Sequence, residues 1–166
     1  MTEEFILSKL GGRLWHTTHP DRFKRIRDSG AILPEPDIPD SERWKTSLGR
    51  EHYPYVRTLG GVSLFDFTNF DPAAYSEKYP VSTWREFVPY RTDWGCSVWI
   101  EINREQIVGQ FISGSELLAK WKSDDAYGHS IMPDIEAAHL GSLPITAFKR
   151  VFLVSKGDTQ TRPLVS

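Results

Sequence analysis

Three short segments carry side chains that could do chemistry together: Leu14-Trp15-His16-Thr17-Thr18, Gly61-Val62-Ser63-Leu64-Phe65 and Asp134-Ile135-Glu136. They supply an imidazole, a hydroxyl and a carboxylate, in that order along the chain. An imidazole can donate to or accept from a hydroxyl, and a carboxylate can stabilise positive charge that develops as a bond breaks. Each segment alone is a weak signal. A histidine at a strand end is more often satisfied by its neighbours than functional, and a carboxylate that begins a strand is usually a solvated edge residue. Asp134 lies two residues before Glu136, so within one strand both would point to one face and address one ligand. Met132-Pro133-Asp134 also reads as an ordinary turn with the Asp bonding its own backbone, and the turn is the preferred reading.

The elements that must position these residues follow from local patterning. Arg13 to Thr18 reads as a short strand that runs into a helix over 19–30. Thr18 can cap that helix, Pro20 suits its first turn, Phe23 and Ile26 share one face, and Gly30 supplies the left-handed stop. Pro34, Pro36 and Pro39 open a stretch without clear period, residues 34–57, which contains Trp44, Tyr53 and Tyr55 in polar surroundings and reads as a long loop or lid. Residues 60–67 form the next strand candidate, followed by a short helix that starts at Asp71-Pro72 and a second over 82–88. Ser97-Val98-Trp99-Ile100-Glu101-Ile102-Asn103 alternates cleanly and is the clearest strand. A helix over 115–121 takes Ser115 as its cap. Residues 135–139 and 150–154 read as closing strands joined through Leu143-Pro144-Ile145. Strands first and last with small helices between them give an α+β domain.

Composition bounds the function. A chain of 166 residues points to one domain, with 39% hydrophobic, 25% charged and 13% aromatic residues, a globular profile. The formal net charge of −2 excludes a whole-molecule positive field, so polyanion binding would need a local patch. The single cysteine, Cys96, cannot form an internal disulfide, and the histidines at 16, 19, 52, 129 and 139 lack zinc-site spacing. No metal is expected. No stretch approaches the ~18 consecutive apolar residues of a membrane helix, and the first ten residues lack a signal-peptide pattern. The expected setting is a reducing cytoplasm without membrane contact.

The order of the three segments resembles the ADP-ribosyltransferase superfamily of diphtheria-toxin-like and poly(ADP-ribose)-polymerase-like enzymes. In that superfamily a first strand carries His, here His16, followed by a helix and a "G-x-I/L" turn, here Gly30-Ala31-Ile32. A second strand carries Tyr or Ser beside small residues, here Gly61-Val62-Ser63. A late strand carries the catalytic Glu and an apolar closing unit, here Glu136 and then Leu143-Pro144-Ile145 through Phe148 and Val151 to Val154. The strand around 98–102 takes the place of the family's central strand. The resemblance covers about residues 14–154.

The resemblance implies a split, bent antiparallel β-sandwich with small flanking helices and NAD in the cleft between two sheets. It implies an NAD-dependent mono-ADP-ribosyltransferase that releases nicotinamide, with NAD as co-substrate and an intracellular protein or nucleic acid as acceptor. Glu136 would stabilise the oxocarbenium-like ribose and grip its 2′-hydroxyl, His16 would bond a ribose hydroxyl, and the Thr17 backbone would pair with the nicotinamide amide, supported by Thr18. Two departures matter: Thr17 stands where the polymerases carry glycine, and Ser63 stands where they carry the nicotinamide-stacking tyrosine. Both place the chain nearer the bacterial or phage toxin-like branches, with an antitoxin or inhibitor partner left open, or the RNA 2′-phosphotransferase branch. An aromatic platform must then come from Phe65, Phe67, Phe70 or Tyr75, each more often core than stacker. Arg57 or Arg50 would contact the NAD pyrophosphate. Open alternatives are RNA 2′-phosphotransferase, NAD hydrolase, and an inactive ligand-binding module of the same fold.

Overall fold

The computed structural model describes residues 3–157 and 161–164, and within them it builds one large antiparallel sheet with few helices, an α+β arrangement. The strands are β1 (Leu14–Thr18), β2 (Ala31–Ile32), β3 (Gly61–Asp66), β4 (Cys96–Ile102), β5 (Phe111–Ile112), β6 (Glu136–Leu140), β7 (Leu143–Pro144), β8 (Phe148–Ser155) and β9 (Arg162–Pro163). Seven of them form one sheet in the order β5-β6-β3-β1-β4-β8-β9, while β2 and β7 pair as a separate ribbon. The α+β class and the antiparallel pairing are as expected, and the split, bent sandwich that the resemblance implies remains an expectation. The halves β5-β6-β3 and β4-β8-β9 belong to one hydrogen-bonded sheet because β1 pairs with both β3 and β4.

Both faces of this sheet are covered, which explains why β4 is buried from Ser97 to Ile102 instead of alternating with solvent. One face packs Trp15, Phe65, Phe67, Trp99 and Phe152 under α1 (Glu3–Leu10), whose Ile6 and Leu10 are fully buried. Trp15 donates its indole N–H to the Leu10 carbonyl at 2.8 Å, fixing the helix to the strand. The sequence signal missed α1, since eight residues hold too few turns for a readable period. The opposite face packs Leu14, Val62, Leu64, Val98 and Ile100 against Phe23 of α2 (Pro20–Ser29). Glu101, buried beside Trp99, is paired with Arg150 at 2.6 Å and Arg13 at 3.4 Å.

Cap chemistry sets the helix ends. Helix α2 is capped by His19, whose ring accepts from the Asp21 N–H at 3.1 Å, and not by Thr18, which stays in the strand. Gly30 ends it at φ 81° and donates to Ile26. Asp71 caps α4 (Pro72–Lys78) as expected, accepting from Ala74. Helix α5 (Gly114–Ser123) starts earlier than expected because Ser113 and Glu116 form a reciprocal capping box that displaces Ser115 as cap. The helix expected over 82–88 shrinks to a 3₁₀ turn, Trp84–Glu86. No helix among the described residues is long and apolar enough to cross a membrane.

Candidate functional site

The site lies where the sheet comes apart. Strand β1 pairs with β3 only at Leu14 and Trp15, yet continues along β4 through His16, Thr17 and Thr18. Beyond Trp15 the two strands separate, β3 staying with β6, and a cavity of about 580 Å³ opens against the gap. Main-chain bonds of an antiparallel strand alternate sides. Arg13 accepts from the Phe67 N–H, so odd positions of β1 face β3. By that alternation the N–H and C=O of Thr17 face the gap, past the last β3 pairing.

Residues from three strands line the cavity there. The Ser63 hydroxyl donates to Glu136 Oε2 at 2.6 Å, and the Met132 N–H donates to Oε1 at 2.9 Å. Ser63 pairs across the ladder with Ala138 and Phe65 with Glu136, so Ser63 and Glu136 are diagonal neighbours on one face. His16 bridges from the other side of the split: its Nδ1 lies 3.0 Å from the Ser63 carbonyl oxygen. A carbonyl can only accept, so Nδ1 carries the proton, and Nε2 of the neutral ring is an acceptor. The residues most distant in sequence, His16 and Glu136, are thus connected through Ser63.

Their environment sets their protonation. Glu136 is only 5% exposed, and burial raises its pKa above the ordinary carboxylate value while the bonds from Ser63 and Met132 work against that rise. Burial likewise depresses the His16 pKa, opposed by its bond to the Ser63 backbone, and keeps the ring neutral. The cavity therefore holds a carboxyl group whose proton is retained to higher pH than an exposed one, and an uncharged imidazole on the far side of Ser63.

Helix α2 supplies a second wall through Arg22, Arg25, Ile26 and Ser29. Arg22 forms no ion pair among the described residues. Its Nη2 donates to the Glu42 carbonyl at 2.6 Å. Burial depresses its pKa, the Glu42 charge opposes this, and Arg91, Arg43 and Arg25 add to the depression by repulsion. A crowded arginine with no carboxylate of its own marks a place where a bound anion would be favoured.

The third wall is the long loop. Residues 34–54 contain no buried residue, whereas Tyr55 and Val56 of α3 (Tyr55–Thr58) belong to the core, so the loop proper ends at Pro54. Polar contacts tie it down. Arg57 bonds Glu35 at 2.8 and 3.0 Å and Asp40 at 3.0 Å, its guanidinium lies 4.0 Å from the Tyr53 ring centroid, and Arg43 bonds Glu35 at 2.7 Å. Tyr53 also donates to Asp40. Arg57 lines the cavity, but its guanidinium acts mainly as the loop's latch, with Nη1 buried and unpartnered among the described residues. If the segment is a cover, Arg57→Ala releases Glu35 and Asp40 together. Hydrogen exchange across 34–54 should then quicken severalfold while β1 and β4 exchange as before. Unchanged exchange in the loop would refute the latch.

The structure sorts the remaining sequence candidates. Thr17 and Thr18 line the cavity, and the Thr17 hydroxyl donates to the Val98 carbonyl at 3.1 Å. Phe65 lines it as well. Phe67, Phe70 and Tyr75 do not: they pack together in the core, Tyr75 bonded to Ser82 at 2.9 Å. Arg50 sits in a 3₁₀ turn away from the cavity. Asp134 occupies a turn at φ 64°, not β6, and accepts from Tyr79 at 2.7 Å and Lys78 at 3.5 Å rather than from its own backbone. It does not line the cavity. Sequence reasoning missed Trp44 and Phe87, which line it and meet edge to face at 4.8 Å. Trp44 stood out as an aromatic in a polar loop, and that was the only available signal.

Among the described residues no group of three or more His, Cys, Asp and Glu could hold a metal ion. The fold and cavity define an α+β protein whose split sheet presents a buried carboxylate, a hydroxyl and a neutral imidazole to one cavity with a basic wall. Comparison with protein-family models and with curated proteins finds no match to this chain.

Proposed function

We propose that this protein is an NAD-dependent mono-ADP-ribosyltransferase acting on an intracellular macromolecule. The observation that carries the reading is Glu136: a carboxylate almost removed from solvent, clamped by Ser63 and Met132, and sharing a cavity with His16. Burial of a carboxylate is unfavourable, and a developing cation beside it is what a preorganised carboxylate stabilises.

In the proposed reaction the bond between nicotinamide and ribose breaks, its electron pair leaves with nicotinamide, and the ribose becomes oxocarbenium-like. Glu136 faces that charge and accepts from the 2′-hydroxyl through lone pairs not taken by Ser63 or Met132. A nucleophile on the acceptor then bonds the ribose carbon and loses its proton. Nε2 of His16 accepts from a ribose hydroxyl, the Thr17 main chain pairs with the nicotinamide amide, and Phe65, Trp44 and Phe87 offer apolar surface for the ring. For the diphosphate, Arg22 and Arg25 fit better than Arg57, whose donors are mostly committed to Glu35 and Asp40.

A second reading is favoured by the same basic wall, since Arg22, Arg25 and Lys45 could seat the phosphate of an RNA 2′-phosphotransferase substrate. Incubation with NAD and a cell lysate, following both nicotinamide release and labelled macromolecules, separates the readings. Coupled release and labelling is the expected result. Release without labelling indicates a hydrolase, release that requires 2′-phosphorylated RNA indicates the phosphotransferase, and no release with no NAD binding ends the enzyme reading.

A further inference from the structure

Helix α2 separates two concavities. Its Arg22, Arg25 and Ile26 line the cavity already described, while Phe23 and Arg27 line a groove of about 790 Å³ on its other side. That groove shares no residue with the first cavity. Lys9 from α1 and Lys149 and Arg150 from β8 complete its charged rim, and Phe23 and Phe148 contribute to an apolar floor. No carboxylate among the described residues lines it. Lys9, Arg27 and Lys149 form no ion pair among those residues; Lys9 and Arg27 instead sit over the rings of Phe5 and Phe23, at 5.6 and 5.9 Å. In a chain of net charge −2, this is a local concentration of one sign.

We propose that this groove docks an acidic peptide segment of a partner protein, its carboxylates on Lys9, Arg27 and Lys149 and an apolar side chain on the floor, with Arg150 held by Glu101. Charge complementarity selects an acidic occupant. The apolar floor selects peptide over nucleic acid, because a phosphate backbone has no apolar group to bury there. The site is independent of the transferase reading.

The test is fluorescence polarisation with the full chain. The probe is a labelled peptide with a Leu-Phe pair flanked by Asp and Glu, compared with its Asn/Gln counterpart and with a labelled single-stranded oligonucleotide. The acidic peptide should bind, weaken steeply with salt, and lose about tenfold or more in affinity in the Arg27→Glu/Lys149→Glu protein. Lys9→Glu, on a different element, should weaken it in the same direction, and circular dichroism checks that each variant is folded. Absence of binding, equal binding of the neutral peptide, binding unchanged in the folded variants, or preference for the oligonucleotide would each overturn the proposal.

Discussion

Glu136→Gln is expected to keep the fold and NAD binding while losing on the order of 10²-fold or more in nicotinamide release. Gln matches the local hydrogen bonding: its oxygen accepts the Met132 N–H in place of Oε1, and its amide N–H can donate to the Ser63 hydroxyl. What disappears is the charge. His16→Ala should act differently, weakening NAD binding more than turnover, because a bond to a ribose hydroxyl exists in both the ground and transition states. A Gln variant with intact NAD affinity by calorimetry and wild-type release would remove Glu136 from the chemistry.

The same substitution has a thermodynamic signature that is independent of any substrate. Burial raises the folded-state pKa of Glu136. A group with a raised folded-state pKa favours the fold fully below its unfolded value, about 4.3 for Glu, and loses that contribution as pH rises through the folded value. Gln undergoes no such loss. The melting temperature of Glu136→Gln should therefore gain on the wild type as pH climbs from about 4 to about 8. The pH profile of wild-type turnover should carry a rising limb displaced above the ordinary carboxylate range. A melting difference that is flat with pH would contradict the buried carboxylate.

Much of this site was legible in sequence because its parts sit on strands with local signals. The period of β4, the proline-led start of α2 and the small residues before Ser63 each register within a few positions, so His16, Ser63 and Glu136 could be ordered along the chain. What the sequence could not supply is where β1 leaves β3. That depends on the short pairing at Leu14 and Trp15, set by long-range contacts and not by local propensity. For the same reason Tyr75 and Phe67, attractive as stackers, proved to be core, and Trp44 proved to line the cavity: aromatic residues carry no local mark of which surface covers them. Arg57 misled in another way. Its partners Glu35 and Asp40 lie 22 and 17 positions away, beyond any helical or strand spacing.

Gly114 is another residue that no local pattern marks, and its substitution should have a large structural effect. It is the first residue of α5, is buried, and holds a backbone angle open to any residue, so Ala should be tolerated there on conformation alone. Space forbids it. A Cβ at Gly114 would lie 2.0 Å from the Asp134 carbonyl oxygen and 2.7 Å from its carbon, both backbone atoms that cannot rotate aside. The Asp134 turn would have to shift, and it is held on both sides: Ile135 donates to Pro133 at 2.8 Å, and Asp66 donates to the Ile135 carbonyl at 2.7 Å. Overpacking of this kind costs about 1–3 kcal/mol or more, against at most about 1 kcal/mol gained from the better helix propensity of Ala. For a chain of this length the upper end corresponds to a fall of roughly 6–12 °C in Tm. Glu136 follows that turn by two residues and takes the Met132 N–H on its carboxylate, so the shift also reaches the cavity. Displacing a positioned group by about 1 Å can cost on the order of 10²-fold in rate. Gly114→Ala should therefore melt early and, at a temperature where it is still folded, release nicotinamide far more slowly than wild type. A variant that melts with the wild type would show that α5 and the Asp134 turn are not in the close contact that sets Glu136 in place.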